Sequence, residues 1–363
     1  MVKISEKIEA SLMLASYFET LGFYNGIWEF NYKEPIINLS KYVSIWNTMT
    51  QHFIVLGGSS HINITKWNAS DDTLLIIAIG NAIINNNDYI SEYLNAYDLL
   101  MDPKRASGLN TIDTLKLLKK RQSIPISVTM GGNGAAMRTG PIGLLYYKDI
   151  ERVIKESISS SILTHNYYLG FLGGMITAVF TSFGMNNIPA WQWVNKLIEL
   201  YDNKIIHKYY PSGHNIEDLD EYMSYWKRYN ETRISKLKYK NTITNFIYAE
   251  NRMEYLSSFY PKKTVNWNYI ATTGLDTCIY AYDCLLLSII NPDALEKSVP
   301  QYNLDTFIFL VCIHPGDNDT TAAIGGSWFG ALNGYYGFDK DRIKELEFYK
   351  ELLQLSKKIK RKL

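Results

Sequence analysis

The sequence predicts an all-α fold. Apolar residues recur at helical spacing through most of its 363 residues, and few windows alternate with the period of two that a half-buried strand requires. The linkers between periodic stretches are short and scattered, with none reading as a domain boundary. These observations predict one compact helical domain over 1–363. Residues 5–21 place Ile8, Leu12, Ala15 and Phe18 on one stripe. Residues 73–85 follow, with Leu74, Ile77, Ala78, and Ala82 or Ile84 on a broad face. Further helical patterns cover about 88–101, 112–121, 141–159, 166–183, 190–203, 216–237, 276–289, 301–312, 320–335 and 342–360. The best strand candidate is "SIPISVT" (123–129), weakened by Pro125. The most polar stretch, 205–265, reads as a surface excursion. Within it, 215–238 carries acids in its first turns and bases in its last, an order that suits a helix dipole.

Composition narrows the function classes. With 47% hydrophobic and 20% charged residues the chain is ordinary globular protein. A net charge of +1 argues against a nucleic-acid or anionic-membrane surface, and the basic end "KKIKRKL" (357–363) reads as a solvated helix end. Three cysteines without a CxxC pair fit a reduced compartment. The first 22 residues interrupt their apolar pattern with Glu6, Glu9 and Glu19, so they read as a helix and not a signal peptide. The apolar stretches 162–185 and 320–338 contain His165, Asn166, Asn333 and several glycines, and are expected as buried core helices. The expected protein is cytoplasmic and monomeric, with no membrane or nucleic-acid partner.

Acidic oxygen is concentrated beside three of the apolar patterns. In "NASDDTLLIIAIGNAI" (68–83), Ser70 is a helix cap and Asp71 and Asp72 fall in the first turn. In "HPGDNDTTAAIGGSWFGALNGYYGF" (314–338), Asp317, Asp319 and Thr320 sit just ahead of an uncharged, glycine-dotted run. Glu29 lies in the aromatic stretch "GFYNGIWEFNY" (22–32). One such cluster alone is an N-cap, worth ~1 kcal/mol. Two clusters at two helices with uncharged neighbours point further. Buried like charges raise one another's pKa unless a cation joins them. Carboxylate and hydroxyl oxygens, with no nearby Cys or His, match Mg²⁺ or Mn²⁺ better than Zn²⁺.

A second motif, "TMGGNGAAMRTGPIGLLYY" (129–147), carries glycines at 131, 132 and 134 and opens a helix. Its backbone N–H groups and helix N-terminus suit a phosphate or diphosphate. It is neither a dinucleotide fingerprint nor a Walker loop, and a tight packed turn is the competing reading. Arg138 pairs with a carboxylate or phosphate, or supports packing. His165 opens the next apolar run, as a cap, a core residue or a second contact to the diphosphate. "TTGLDTCIYAYDCLL" (272–286) again sets small hydroxyls and a glycine before an apolar helix.

Together, "GFYNGIWEF", "SDDT" (70–73), "GGNGAAMR" (131–138), "THNYYLGFLG" (164–173), "GLDTCIYAYD" (274–283) and "GDNDTTAAIGG" (316–326) resemble the ADP-ribosylglycohydrolase family, most closely its ADP-ribosylarginine hydrolase branch. The six motifs follow the family's order over about residues 10–338. The resemblance implies a compact all-α fold with a two-metal centre, usually Mg²⁺. Ser70, Asp71 and Asp72 would supply ligands from one side, and Asp317, Asp319 and Thr320 from the other. Glu29 falls on the family's acidic residue beside the metals. Gly131, Gly132, Asn133, Gly134 and Ala135 would hold the diphosphate. His165 falls on the family's histidine near the nucleotide. The 266–274 loop, with Gly274, would flank the adenosine half, with Trp267 or Tyr269 stacking on adenine. The chain departs from the family at Phe18-Glu19, where Gly-Asp is usual, and at Pro315-Gly316, where a double glycine is usual. The first change is expected to shift helix packing near the metals. Neither removes a matched ligand.

The implied reaction is hydrolysis of the N-glycosidic bond between ADP-ribose and a protein arginine, with ADP-ribose and an ADP-ribosylated protein as partners. Asp72 or Glu29 takes the proton from the attacking water, or Asp317 holds that water; the sequence leaves these alternatives open. Two rival readings are a hydrolase of serine-linked or small-molecule ADP-ribose and a non-catalytic ADP-ribose-binding pseudoenzyme. The retained acids favour an enzyme.

Overall fold

The computed structural model describes residues 2–30, 38–236, 249–260, 269–289 and 301–363. These residues are all-α. In chain order the main helices are α1 (Ile4–Phe23), α2 (Leu39–Val55), α3 (Asp71–Ile84), α4 (Tyr89–Leu100) and α5 (Leu109–Lys119). Next come α6 (Gly140–Leu145), α7 (Ile150–Ser161), α8 (Tyr168–Met185), α9 (Trp193–Asp202) and α10 (Ile216–Thr232). The last are α11 (Ala249–Ser257), α12 (Asp276–Leu287), α13 (Leu304–Cys312), α14 (Asn318–Asn333) and α15 (Tyr349–Lys362).

The expected strand at 123–129 does not form. The chain there enters a 3₁₀ turn at Val128–Met130, and β pairing among the described residues is limited to isolated bridges such as Gly132 with Thr273. The pattern read as one helix over 141–159 is two, because Asp149 caps α7 by accepting the Arg152 N–H at 3.0 Å. Helix α2 was not expected. Its β-branched and aromatic residues are indifferent helix formers, yet Tyr42, Ile45, Met49 and Phe53 recur at helical spacing and are buried.

Small residues let the central helices touch backbone to backbone. A Cβ at Gly326 or Gly330 of α14 would strike the main chain of α1 at Leu14 and Ser11. The Ser11 hydroxyl donates to the Ser327 carbonyl at 2.8 Å across the same contact. This crossing sets the C-terminal end of α1 beside the N-terminus of α14. Around it, α8 is apolar and buried over its whole length; it is the one helix among the described residues long and apolar enough to cross a membrane. Phe180 of α8 gathers Trp193, Trp226, Tyr282 and Trp328, with ring centroids 5.2–5.5 Å away. Edge-to-face and tilted pairs of this kind add about 0.5–1.5 kcal/mol each beyond area burial. Helix α10, expected on a surface excursion, therefore contributes Tyr222, Trp226 and Tyr229 to the core. Residues 237–248 and 261–265 of that stretch lie outside the described residues.

Candidate metal centre and its cavity

The two acidic helix entrances, about 245 residues apart in sequence, open into one cavity of about 440 Å³. Asp71 and Asp72 reach it from the first turn of α3, where the Ser70 hydroxyl caps the helix by accepting the Asp72 N–H at 3.2 Å. Asp317, Asp319 and Thr320 reach it from α14, capped by the Asp317 carboxylate. Glu29, half-buried, arrives from the loop after α1, and ligand oxygens of Glu29, Asp317 and Asp319 lie within 4.8 Å of one another. Gly316 makes this approach feasible: its φ of +135° suits glycine alone, and its carbonyl accepts the Phe30 N–H at 3.0 Å.

Electrostatics makes the cluster costly as it stands. Burial pushes the Asp71 carboxyl up to about 7, with the Asp317 and Glu19 charges adding to it. Burial, then Asp71, holds Asp72 well above the carboxylate range; burial, then Glu29, does the same for Asp319. Burial also raises Asp317. Partial relief comes from the Asn133 amide, which donates to Asp317 Oδ2 at 2.9 Å, and from the Gly108 N–H on Asp71 Oδ2 at 3.3 Å. Asp72 Oδ2 is buried with no hydrogen-bond partner among the described residues. Hard oxygen donors, mutual repulsion and an orphaned carboxylate oxygen together fit a divalent cation.

The α3 entrance is held by groups outside the cavity. The Glu19 carboxylate accepts the Ser70 N–H through Oε1, and the Thr20 and Thr73 hydroxyls through Oε2 at 3.0 and 3.1 Å. The longer acid thus ties α1 to the cap of α3, while Phe18 packs in the core against Phe307 and Phe338. Ala69 is gripped from the other side: its carbonyl accepts from Arg105, its N–H donates to Glu347, and those two side chains pair at 2.6 Å. Replacing Glu19 with alanine strands the Ser70 N–H and the Thr20 hydroxyl, while the Thr73 hydroxyl keeps Ser16 Oγ at 2.7 Å. We expect Mg²⁺ affinity to fall roughly 10–100-fold, the usual cost of removing a group that orients ligands, with a lower melting temperature. Calorimetric titration and a thermal melt check both, and wild-type Mg²⁺ affinity would count against this bracing role.

The rest of the wall comes from the glycine-rich stretch, which runs as a 3₁₀ segment over Asn133–Arg138. Gly132, Asn133, Gly134 and His165 line the cavity with Thr272. A Cβ at Gly134 would stand 2.7 Å from His165 Cε1, so the ring leaves no room for a larger residue there. Four expected site residues fall elsewhere. Ser70, Gly131 and Ala135 do not line the cavity, and Gly274 is buried against α8, its N–H donating to the Gly131 carbonyl at 3.2 Å. Trp267 lies outside the described residues, and the Tyr269 ring packs edge-on to Phe30 at 5.3 Å. The sequence reading missed the wall from Ala106 to Thr111, along with Met137 and Thr129. Its one signal was the small, polar run "ASGLN" between two helical patterns.

Comparison with known proteins gives consistent results. A family profile described as ADP-ribosylglycohydrolase matches residues 6–363. The protein named ADP-ribosylhydrolase ARH1 of Dictyostelium discoideum is 30% identical over 98% of this chain and 93% of its own length. A viral relative named as an ADP-ribosyl glycohydrolase, from Acanthamoeba polyphaga mimivirus, is 31% identical over 95% of this chain and 68% of its own. A solved structure described as an ADP-ribosylglycohydrolase-related protein complex matches with a TM-score of 0.54 and 14% identity, covering 98% of each chain, and so shares the fold.

Proposed function

The chain belongs to the ADP-ribosylglycohydrolase family, and from that premise we propose that it hydrolyses the bond between ribose C1″ and a protein arginine nitrogen, with two Mg²⁺ ions in the acidic cavity. The observation that carries this reading is the meeting of two carboxylate-bearing helix N-termini and a glycine-rich loop around one cavity. Asp71, Asp72, Asp317, Asp319 and Thr320 would hold the metals, with Glu29 beside them. Bound there, divalent cations acidify a water and anchor sugar hydroxyls.

The chain's own groups supply the remainder. The bond breaks through an oxocarbenium-like state. Polar groups of the cavity wall, fixed in place before the bond breaks, favour that state without reorganising. The C1″–N bond breaks with its electron pair on the guanidine nitrogen, which takes a proton and leaves as an ordinary arginine side chain. Water supplies the hydroxyl at C1″. Glu29 is the half-exposed member of the acidic set, so it exchanges protons with solvent most readily, and we assign it the proton from the water. Gly132 to Gly134 and His165 face the diphosphate side. The arginine linkage is supported by the "YNGIWEF" stretch leading to Glu29, which resembles the arginine-hydrolase branch, and by an acid at the cavity edge suited to a guanidinium.

The test is incubation with Mg²⁺ and peptides carrying ADP-ribose on arginine or on serine, followed by measurement of released ADP-ribose. Release from the arginine peptide at least about tenfold faster is expected. Preferential release from serine would replace the linkage assigned here. Binding of ADP-ribose with no release from either peptide would identify a reader and not an enzyme.

A further inference from the structure

We propose that Arg138 and Thr164 are positioning residues that fix His165 as the neutral tautomer with its proton on Nε2, presented to the cavity as a hydrogen-bond donor. The proton's position follows from geometry alone; what the donor meets rests on the function proposed above.

Arg138 is fully buried, with its guanidinium 4.7 Å from the centre of the Tyr93 ring. Its Nη2 lies 2.6 Å from Thr164 Oγ1. A guanidinium only donates and keeps its protons in proteins, so the threonine oxygen is the acceptor. The same hydroxyl lies 2.8 Å from His165 Nδ1. A hydroxyl has one proton to give, and Thr164, also fully buried, has no other side-chain hydrogen bond among the described residues. If Nδ1 carried the ring proton, two donors would face one oxygen and the hydroxyl hydrogen would have no acceptor, a cost of about 1–3 kcal/mol in the interior. The satisfied arrangement runs from Arg138 to Thr164 Oγ1, and from the Thr164 hydroxyl to Nδ1. The ring proton is then on Nε2.

That nitrogen faces the glycine-rich loop: it would lie 2.9 Å from a Cβ on Gly134 and 3.8 Å from one on Gly132. His165 and both glycines line the cavity. Burial and the charge of Arg138 bring the His165 pKa down to about 3, so the ring stays neutral as it donates. The partner chemistry is an oxygen with free lone pairs, as on a diphosphate or a ribose. Arg138 is thus neither a phosphate clamp nor a carboxylate partner: it acts on the cavity through two side chains.

Nitrogen NMR of the ¹⁵N-histidine-labelled, metal-free chain tests this directly, with the His165 signals assigned by their loss in His165→Gln. The expected pattern is protonated Nε2 and bare Nδ1. The near-isosteric Thr164→Val should lose that pattern, and Thr164→Ser should restore it. Calorimetry with ADP-ribose should show about tenfold weaker binding by Thr164→Val, near wild-type binding by Thr164→Ser, and unchanged Mg²⁺ binding in both. A proton on Nδ1 of the wild type, or an unaltered His165 pattern in Thr164→Val, would overturn the proposal. Equal ADP-ribose affinity of the wild type and Thr164→Val would overturn the donor's role. A wild type that binds no ADP-ribose would strike the proposed substrate instead and leave the tautomer result standing.

Discussion

Asp319→Asn is expected to lower ADP-ribose release by on the order of 10³-fold, more than the roughly 10–100-fold typical of changes behind a metal site. The substitution is nearly isosteric, and its amide oxygen can still accept the Thr320 N–H, which now meets Asp319 Oδ1 at 2.9 Å. It removes one negative charge from a cluster whose oxygens lie within 4.8 Å of one another. Asp319 is the better probe than Asp317, because Asp317 also caps α14 and its loss would cost ~1 kcal/mol of stability for reasons unrelated to chemistry. The variant should fold, melt no lower than wild type in chelator, and bind Mg²⁺ poorly. Release at more than a tenth of the wild-type rate would remove Asp319 from the metal set and, with it, the reason for two acidic helix entrances.

The all-α class was legible because a helix that buries one face must repeat its apolar residues every three or four positions, and this chain does so from Ile8 to Ile359. Strand 123–129 failed because alternation over seven residues is a weak signal once Pro125 and a glycine loop flank it. The acidic residues of the cavity were legible for a different reason. Carboxylates ahead of uncharged helices violate the usual partition of charge to the surface, so Asp71, Asp72, Asp317 and Asp319 stood out without knowledge of their partners. Groups that act at one remove were not legible. Glu19 read as a departure from a pattern, and its bond to Ser70 depends on how α1 and α3 approach. Arg138 and Thr164 are separated by 26 residues, and nothing in their local sequence joins them. Gly274 was ambiguous in the opposite sense. A glycine before an apolar helix can serve a ligand or a neighbouring helix, and only the fold shows that Gly274 packs against α8.

In chelator, Asp72→Asn should be more stable than wild type near pH 8, with the advantage shrinking towards pH 5. The direction follows from proton counts. In the folded, metal-free chain Asp71 is raised from 3.8 to about 7, and Asp72 and Asp319 are also held well above the ordinary carboxylate range, chiefly by burial. Across that window the folded chain holds more protons than the unfolded one, so the cluster's contribution is greatest below about pH 4 and is lost as pH climbs through the folded values. Every tenfold difference in proton affinity between the folded and unfolded chain is worth about 1.4 kcal/mol, or about 2 °C in melting temperature for a chain of this length. His165 and His314, both lowered to about 3 by burial, pull the other way below pH 6.5. A wild-type pH profile alone would therefore mix the two effects, whereas the difference between wild type and Asp72→Asn isolates the carboxylates. Saturating Mg²⁺ should invert the order. The cation needs ionised ligands and, at about 100 times its dissociation constant, adds about 2.7 kcal/mol to the folded state. Wild type should then melt above Asp72→Asn, by a margin that widens with pH. Parallel melts in chelator and in Mg²⁺ at about pH 5 and pH 8 decide the matter. A wild type that outlasts the variant in chelator at pH 8 would mean that its buried carboxylates are already compensated, and that the cluster was not built for a cation.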